Sequence, residues 1–421
     1  MGKGKGIDRR QFLGRSSKAA VAAGVALTAA PSMNVLGANE KILCGIVGPG
    51  GRGRHLMQRV MKVPGVELVA VADIYNGWRD RAVRMAEGKT SLEVKAYDHY
   101  KKILDDKRLN AIVIATPEHA HAHQLVDACD AGKDVYCEKP MIHRWQEGKG
   151  IVEAVKRNKS VVQVGTQRRS QNIYKMAREI IQSGKIGEVT QVRAFWFRNS
   201  PDDKPAWRYT IPNGVTEADV NWAEFLGNAP KVPWDPRRYF QWRCYWDYSN
   251  GIGGDLMVHQ VDAIHMVLGL KMPHSAYGTG AIYRWNENER TTTDTWNAVL
   301  EYPEGLAINY CSMFSNDHYG HCEQFLGRDA TLELNNEAEM KIYAERESNR
   351  TQDVEEIQVA SEGDKDYLHL ENFFGCCRTR EKPNCTEVDG FHSAAAADLT
   401  IQSHFSGKKV RWDAEKQEAI V

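Results

Sequence analysis

Past residue 40, apolar and polar positions fall into two textures. Lys41–Gly48 (KILCGIVG), Val66–Asp73 (VELVAVAD), Ala111–Pro117 (AIVIATP), Asp134–Glu138 (DVYCE) and Val161–Gly165 (VVQVG) are short apolar runs closed by a turn residue or a charge. Runs of this kind predict strands buried on both faces. Arg54–Val63 carries Leu56, Met57, Val60 and Met61 at helical spacing, and Trp78–Glu87 and His119–Ala131 also read as helices. Strands alternating with helices of this length predict an α/β Rossmann domain, a doubly wound parallel sheet.

From Val189 the texture changes. Val189–Arg198 (VTQVRAFWFR) alternates and is longer. Ser275–Trp285, Asp294–Tyr302, Leu306–Phe314 and Thr331–Leu334 follow, joined by short turn-like segments such as Pro303-Glu304-Gly305. This predicts an antiparallel sheet and a second, α+β domain. A loop region rich in Trp and Pro, about residues 200–250, and one helix, Gly253–Leu268, lie between these strands.

The chain has 421 residues, more than one core usually holds. The expected organisation is a leader over 1–38, a NAD-binding domain over 39–165, and an α+β substrate and oligomerisation domain over 166–421. A C-terminal helix of that last domain could return to the first. Acids and bases balance at 55 each, so no field draws in nucleic acid or an anionic membrane. No apolar run after the first forty residues has the length of a membrane span. The nine cysteines form no C-x-x-C pair. They read as buried or idle thiols, and no metal site is expected.

The N-terminus reads Asp-Arg-Arg-Gln-Phe-Leu at 8–13, with a small-residue apolar stretch from Ala19 to Ala30 and then Pro31. A twin arginine ahead of such a stretch resembles a twin-arginine export signal. Asp8 and Gly14 depart from the commonest flanking residues. The expectation is a periplasmic or otherwise exported protein, with cleavage near Ala38 or a retained leader acting as an anchor. That route carries folded proteins, which suits one that must bind a cofactor before it leaves the cytoplasm.

Gly48-Pro49-Gly50-Gly51-Arg52-Gly53 fits G-x-G-x-x-G between a predicted strand and a predicted helix, and Asp73 closes the next strand. Together these form the dinucleotide fingerprint. Gly48 serves the turn, Gly50 the approach of the pyrophosphate, and Gly53 close packing of helix on strand. The helix N-terminus offers N–H groups to phosphate, and Arg52 could add a contact. Asp73 should accept from the adenosine ribose and repel a 2′-phosphate. Ile74 and Tyr75 follow it, so no arginine stands next in the chain. NAD is therefore expected over NADP.

Cys137-Glu138-Lys139-Pro140 ends a strand, which aims Lys139 at the cleft beyond the carboxyl ends of the sheet. A second Glu-Lys-Pro, at 381–383, follows a predicted helix and reads as a solvated loop. Asp255 and His259 lie four apart on the helix after Gly253-Gly254 and share a face. They could be an acid–base pair, or a capping Asp and a core His. Thr116, Pro117 and His119 follow a strand and could line the cofactor; His119 fits equally as the start of a helix. Gln167 and Arg168 could reach a sugar hydroxyl or sit on the surface. Trp242, Arg243, Tyr245 and Trp246 could stack on sugar or pack between domains.

GPGGRG, the strand-ending Asp73, AIVIATPEHAH, CEKP and GGDLMVHQVD, in this order over 41–413, resemble the Gfo/Idh/MocA family of sugar and inositol oxidoreductases. The resemblance implies a Rossmann domain followed by an α+β domain with a large, mostly antiparallel sheet. It implies that Lys139 is catalytic together with Asp255 and His259, and that the substrate is a small-molecule sugar, glycoside or polyol. It also implies homodimers or homotetramers joined through the open sheet face. In that scheme His259 takes the hydroxyl proton, Lys139 stabilises the oxygen as charge develops, and Asp255 orients the pair. Glu138 contacts the ribose or supports Lys139. Two other classes stay open: a glycoside hydrolase that uses NAD transiently without net redox, and a non-catalytic dinucleotide-binding protein.

Overall fold

A computed structural model describes residues 41–286, 289–345 and 353–421. The leader motif lies outside the described residues.

The first sheet holds six parallel strands: β1 (Ile42–Val47), β2 (Val66–Ala72), β3 (Lys95–Tyr97), β4 (Ala111–Ile114), β5 (Asp134–Cys137) and β6 (Val162–Val164). Their order is β3-β2-β1-β4-β5-β6, the doubly wound arrangement. Helices α1 (Gly51–Val60), α2 (Asn76–Ala86), α3 (Tyr100–Leu104), α4 (Glu118–Asp130) and α5 (Glu147–Asn158) connect the strands. The central strands are almost wholly buried, as their unbroken apolar runs require. β3 is the strand the hydrophobic pattern did not reveal. It is three residues long, sits at the edge and is mostly exposed.

The second sheet has ten strands: β7 (Val189–Asn199), β8 (Ser275–Ala281), β9 (Thr295–Tyr302), β10 (Leu306–Met313), β11 (Ser315–Gly327), β12 (Ala330–Asn335), β13 (Glu339–Ala344), β14 (Val354–Ile357), β15 (Val410–Asp413) and β16 (Glu418–Ile420). The order is β14-β13-β12-β11-β7-β10-β9-β8-β15-β16, antiparallel except where β7 pairs with β10. One predicted strand is shorter than its pattern. β8 stops at Ala281 because the Asp294 carboxylate accepts the backbone N–H groups of Tyr283, Arg284 and Trp285 and bends the chain away. The turn at Pro303–Gly305 closes β9 onto β10, with Gly305 at φ +83°.

Ahead of this sheet lies α6 (Asn172–Gln182); α7 (Trp222–Leu226) and α8 (Pro236–Phe240) interrupt the loop region. The predicted helix at 253–268 opens with one π-turn, Gly253–Met257, before α9 (Val258–Leu268). Helices α10 (Lys365–Thr379) and α11 (Glu387–Ser406) close the chain. The second Glu-Lys-Pro stands in the loop between these helices.

Both C-terminal helices press on the parallel sheet, and α11 packs on the second sheet as well. The imidazole of His369 bonds to the Val164 carbonyl, and Val164 N–H donates to Cys385 O. Helix α11 carries four consecutive buried alanines, Ala394–Ala397, and crosses β8 at Gly278. A Cβ on Gly278 would lie 2.2 Å from the Thr400 carbonyl oxygen, so small residues set the separation of helix and sheet. Gly278→Ala should therefore cost about 1–3 kcal/mol, read as a lower midpoint of thermal unfolding.

Candidate active site

The turn after β1 has the shape a pyrophosphate needs. Gly48 has φ +79°, and a Cβ there would meet the Ala115 backbone at 2.9 Å. A Cβ on Gly53 would lie 2.2 Å from Gly48 O, so only glycine lets α1 start this close to β1. Cβ positions on Gly50 and Gly51 meet nothing within 4 Å. No side chain caps α1 at Gly50, so its first N–H groups have no partner within the helix. Gly48, Gly50 and Gly51 border a cavity of about 540 Å³ that runs past Asp73, Thr116 and His119 to Lys139. A dinucleotide fits this cradle: bare glycines and uncapped helix N–H groups for the phosphates, and Asp73 for the ribose.

Asp73 is buried and accepts from Tyr75 N–H at 2.9 Å and from the Tyr239 hydroxyl at 3.3 Å. Burial pushes its carboxyl up to about 7, opposed by those hydrogen bonds and by the charges of Arg79 and Arg54. No arginine stands directly after Asp73 in the chain, yet two approach it in space. Both are occupied: Arg79 donates to the Asp73 carbonyl, and Arg54 lies 4.5 Å over the Trp78 ring and donates to Pro49 O.

Arg52 borders the cavity, but its guanidinium points inward. It donates to Glu138 at 2.8 Å and to Asp366 at 2.7 Å. Asp366 also accepts from Gln167 at 2.7 Å and bonds His55 at 2.8 Å, and Arg52 helps hold it well below the usual carboxylate range. Glu138 and Gln167 thus belong to a web that ties α10 to the glycine turn. Thr116 donates to Gln124 at the cavity wall. His119 also borders the cavity, with Nε2 2.7 Å from Phe225 O, and burial lowers it to about 4.

Lys139 stands where the parallel sheet meets the π-turn. Its Nζ donates to Asp255 Oδ1 at 3.0 Å and to the Asp255 carbonyl at 2.7 Å. Arg243 Nε reaches the same Oδ1 at 3.1 Å. The charges of Lys139 and Arg243 hold Asp255 well below the carboxylate range despite burial. Gly254 allows the contact: a Cβ there would lie 2.6 Å from Asn250 Cβ and 2.9 Å from Glu118 Oε2. Glu118 fixes this loop by accepting from Asn250 N–H at 2.6 Å and from Ser249 at 3.1 Å. His259, one turn on, packs 6.0 Å from Trp196, ring to ring. Burial and the charges of Lys139 and Arg168 drive it well below its ordinary value, so it is neutral.

A second cavity, about 260 Å³, opens beside the first. Tyr209 and Arg243 border both, Lys139 borders the larger, and Asp255 with Arg198 borders the smaller. Sequence reading did not single out Tyr209, Arg198 or Glu118. Arg198 ends an alternating strand and carries no local signal of its role.

Other expected substrate contacts sit elsewhere. Arg168 is buried and paired with Glu323 at 2.6 Å and Glu337 at 3.0 Å, 4.7 Å over the Trp196 ring. It borders neither cavity. Tyr245 is in the core, beneath the Arg238 guanidinium. Trp242 borders the larger cavity, and Arg243 stacks on it at 4.2 Å. Eight of the nine cysteines are buried and Cys311 is half-buried; all nine are free. Among the described residues no group of three ligands could hold a metal, and no helix is long and apolar enough to cross a membrane.

A dinucleotide cradle beside a lysine–aspartate pair and a second cavity defines a nicotinamide-dependent oxidoreductase. Residues 42–166 match the NAD-binding Rossmann fold of an oxidoreductase family, and residues 227–411 match the C-terminal alpha/beta domain of the same family. The chain belongs to the Gfo/Idh/MocA oxidoreductase family and uses NAD on a small-molecule substrate. It is 26% identical to inositol 2-dehydrogenase of Salmonella typhimurium over 371 residues, covering 86% of this chain and 94% of that protein. It is 23% identical to scyllo-inositol 2-dehydrogenase (NAD(+)) of Bacillus subtilis over 381 residues, covering 90% and 98%. The structure of levoglucosan dehydrogenase in complex with NADH and L-sorbose aligns with TM-score 0.69 at 17% identity, covering 88% of this chain and 99% of that one.

Two outcomes follow from these environments. Asp73 titrates near 7 in the folded protein against an ordinary value of 3.8. Its stabilising contribution is complete below 3.8 and is lost as pH rises through 7. The ionised form is the one that accepts from ribose. NAD affinity, measured by calorimetry, should rise as pH climbs through about 7, and Asp73→Asn should flatten the profile. Arg168→Met leaves the buried carboxylate of Glu323 without its counter-charge, with hydrogen bonds from Gln260 and Tyr174 alone, and should cost about 3–5 kcal/mol in chemical denaturation, with NAD affinity unchanged.

Proposed function

We propose that this enzyme transfers hydride between NAD and a ring hydroxyl of a sugar, glycoside or polyol. The Lys139–Asp255 contact carries this reading, because it stands where the cofactor cavity meets the smaller one. Two relatives named as inositol dehydrogenases and a structural neighbour named as a levoglucosan dehydrogenase support the substrate class.

Gly48, Gly50, Gly51, Gly53 and Asp73 hold the dinucleotide, with Thr116 and His119 along the wall. The nicotinamide, when bound, accepts or returns the hydride. Lys139 keeps its ammonium beside Asp255 and presents positive charge to an oxygen that becomes alkoxide-like. In water-poor surroundings such a donor acts with little reorganisation. His259 is neutral and is the group that takes up the hydroxyl proton. Asp255 sets the position of Lys139 and of Arg243.

The same proposal includes export through the twin-arginine leader and assembly of two or four copies on the open face of the large sheet. Tyr277 and Val299 support the assembly: they pair across β8 and β9, and both are exposed. Light scattering should then give a mass two or four times that of the 47.5 kDa chain.

The decisive experiment uses the full chain, assayed for bound NAD and for NADH formation with sugars and polyols. Lys139→Ala should lower kcat roughly a hundred- to a thousandfold, about 3–4 kcal/mol of barrier, with NAD still bound. Undiminished turnover would remove Lys139 from the chemistry. Cleavage of a nitrophenyl glycoside without added NAD and without NADH release would move the enzyme to redox-neutral hydrolysis.

A further inference from the structure

We infer that the substrate carries an anionic group, a carboxylate or a phosphate, and that Arg198 and Arg243 receive it in the smaller cavity; this rests on the oxidoreductase reading above.

The charges around that cavity do not balance. Lys139, Arg243 and Arg198 all act on one carboxylate, Asp255. The first two share Oδ1 of Asp255, at 3.0 and 3.1 Å. His259 is neutral and adds no charge. Glu118 lies behind Asp255, where burial pushes it up to about 7 and Asn250 and Ser249 hold its oxygens. Glu337, on the far side of His259, is claimed by Arg168 and Lys365. Three cations thus share one nearby carboxylate, leaving an excess of two positive charges.

Arg198 is the cation without an answer. Its side chain is exposed; among the described residues that side chain makes neither hydrogen bond nor ion pair, and its close partner is the Trp196 ring, 5.0 Å from the guanidinium. Arg243 is stacked in the same way, 4.2 Å over Trp242. Stacking fixes the plane of each guanidinium and leaves N–H edges free. Two such forks are suited to a carboxylate or phosphate, which they bind bidentately, and are poorly used by a hydroxyl. Tyr209 and Ser200 complete a wall that can serve the ring hydroxyls. The volume, about 260 Å³, has room for one monosaccharide.

The test compares the gluco, galacto and manno uronates and hexose 6-phosphates with their parent hexoses. Thermal unfolding of the NADH-loaded protein reads binding without turnover. At least one uronate or one phosphate should raise the midpoint more than its parent sugar, and which of them does so identifies the anion. In NADH formation the same compound should lead its parent by roughly tenfold or more in kcat/KM. The lead should shrink toward 0.5 M NaCl. Arg198→Gln should bring the ratio of anionic to neutral sugar close to one, and Arg198→Lys should restore part of it. Equal shifts from parent and anion, or an anion advantage that survives Arg198→Gln, overturn the inference. Turnover of neutral sugars without anion preference does so too, yet leaves the oxidoreductase reading standing. Loss of that reading looks different: NADH fails to form with any sugar while NAD stays bound.

Discussion

The ammonium of Lys139 sits 3.0 Å from the carboxylate of Asp255, and the site depends on that short bridge between the parallel sheet and the second domain. The two residues are separated by 116 positions, so each half of the fold must deliver one of them. β5 ends at Cys137 and releases the lysine at the carboxyl edge of the sheet, where a doubly wound fold gathers its ligands. The π-turn at Gly253–Met257 delivers the aspartate. Gly254 makes the meeting sterically possible, and Glu118 reaches across to hold the loop that precedes it.

Around this bridge the structure spends its buried charges on position. Arg52 pairs with both Glu138 and Asp366 behind the glycine turn, and Arg168 pairs with Glu323 and Glu337 behind His259, where Lys365 joins Glu337. Taking such groups out of water is costly, so each cluster is nearly closed on itself. The exceptions stand at the cavities. Asp73 has no ion-pair partner, and burial raises it toward neutrality. Arg198 has only an aromatic face. Two charged groups left without an ion pair thus stand on surfaces that a cofactor and a substrate would cover.

Much of this was legible in the chain. Apolar runs ending in a turn residue located five of the six parallel strands, because strands buried on both faces have no alternative composition. The glycine turn was legible because Gly53 has no substitute at 2.2 Å from a carbonyl. What escaped has physical reasons. β3 is too short and exposed to carry a pattern, and β11 is polar over its first residues because they face solvent. Arg168 looks like a surface arginine; its burial is decided by Glu323, 155 positions away on β11. Arg54 and Arg79 approach Asp73 from two helices, so the two residues directly after Asp73, Ile74 and Tyr75, say nothing of them. The π-turn is likewise silent in helical periodicity.

The web joining Arg52 and Gln167 to Asp366 has a consequence for biosynthesis. The glycine turn opens the first domain, but its bracing carboxylate arrives on α10, after all six parallel strands and eight strands of the second sheet have been translated. His369 and Cys385 meet Val164 of the sixth parallel strand from the same late segment. A nascent polypeptide still on the ribosome therefore has a nucleotide fold with one flank bare. The halves cannot mature one after the other as separate beads, because the cofactor clamp is completed only once α10 has folded back onto the glycine turn.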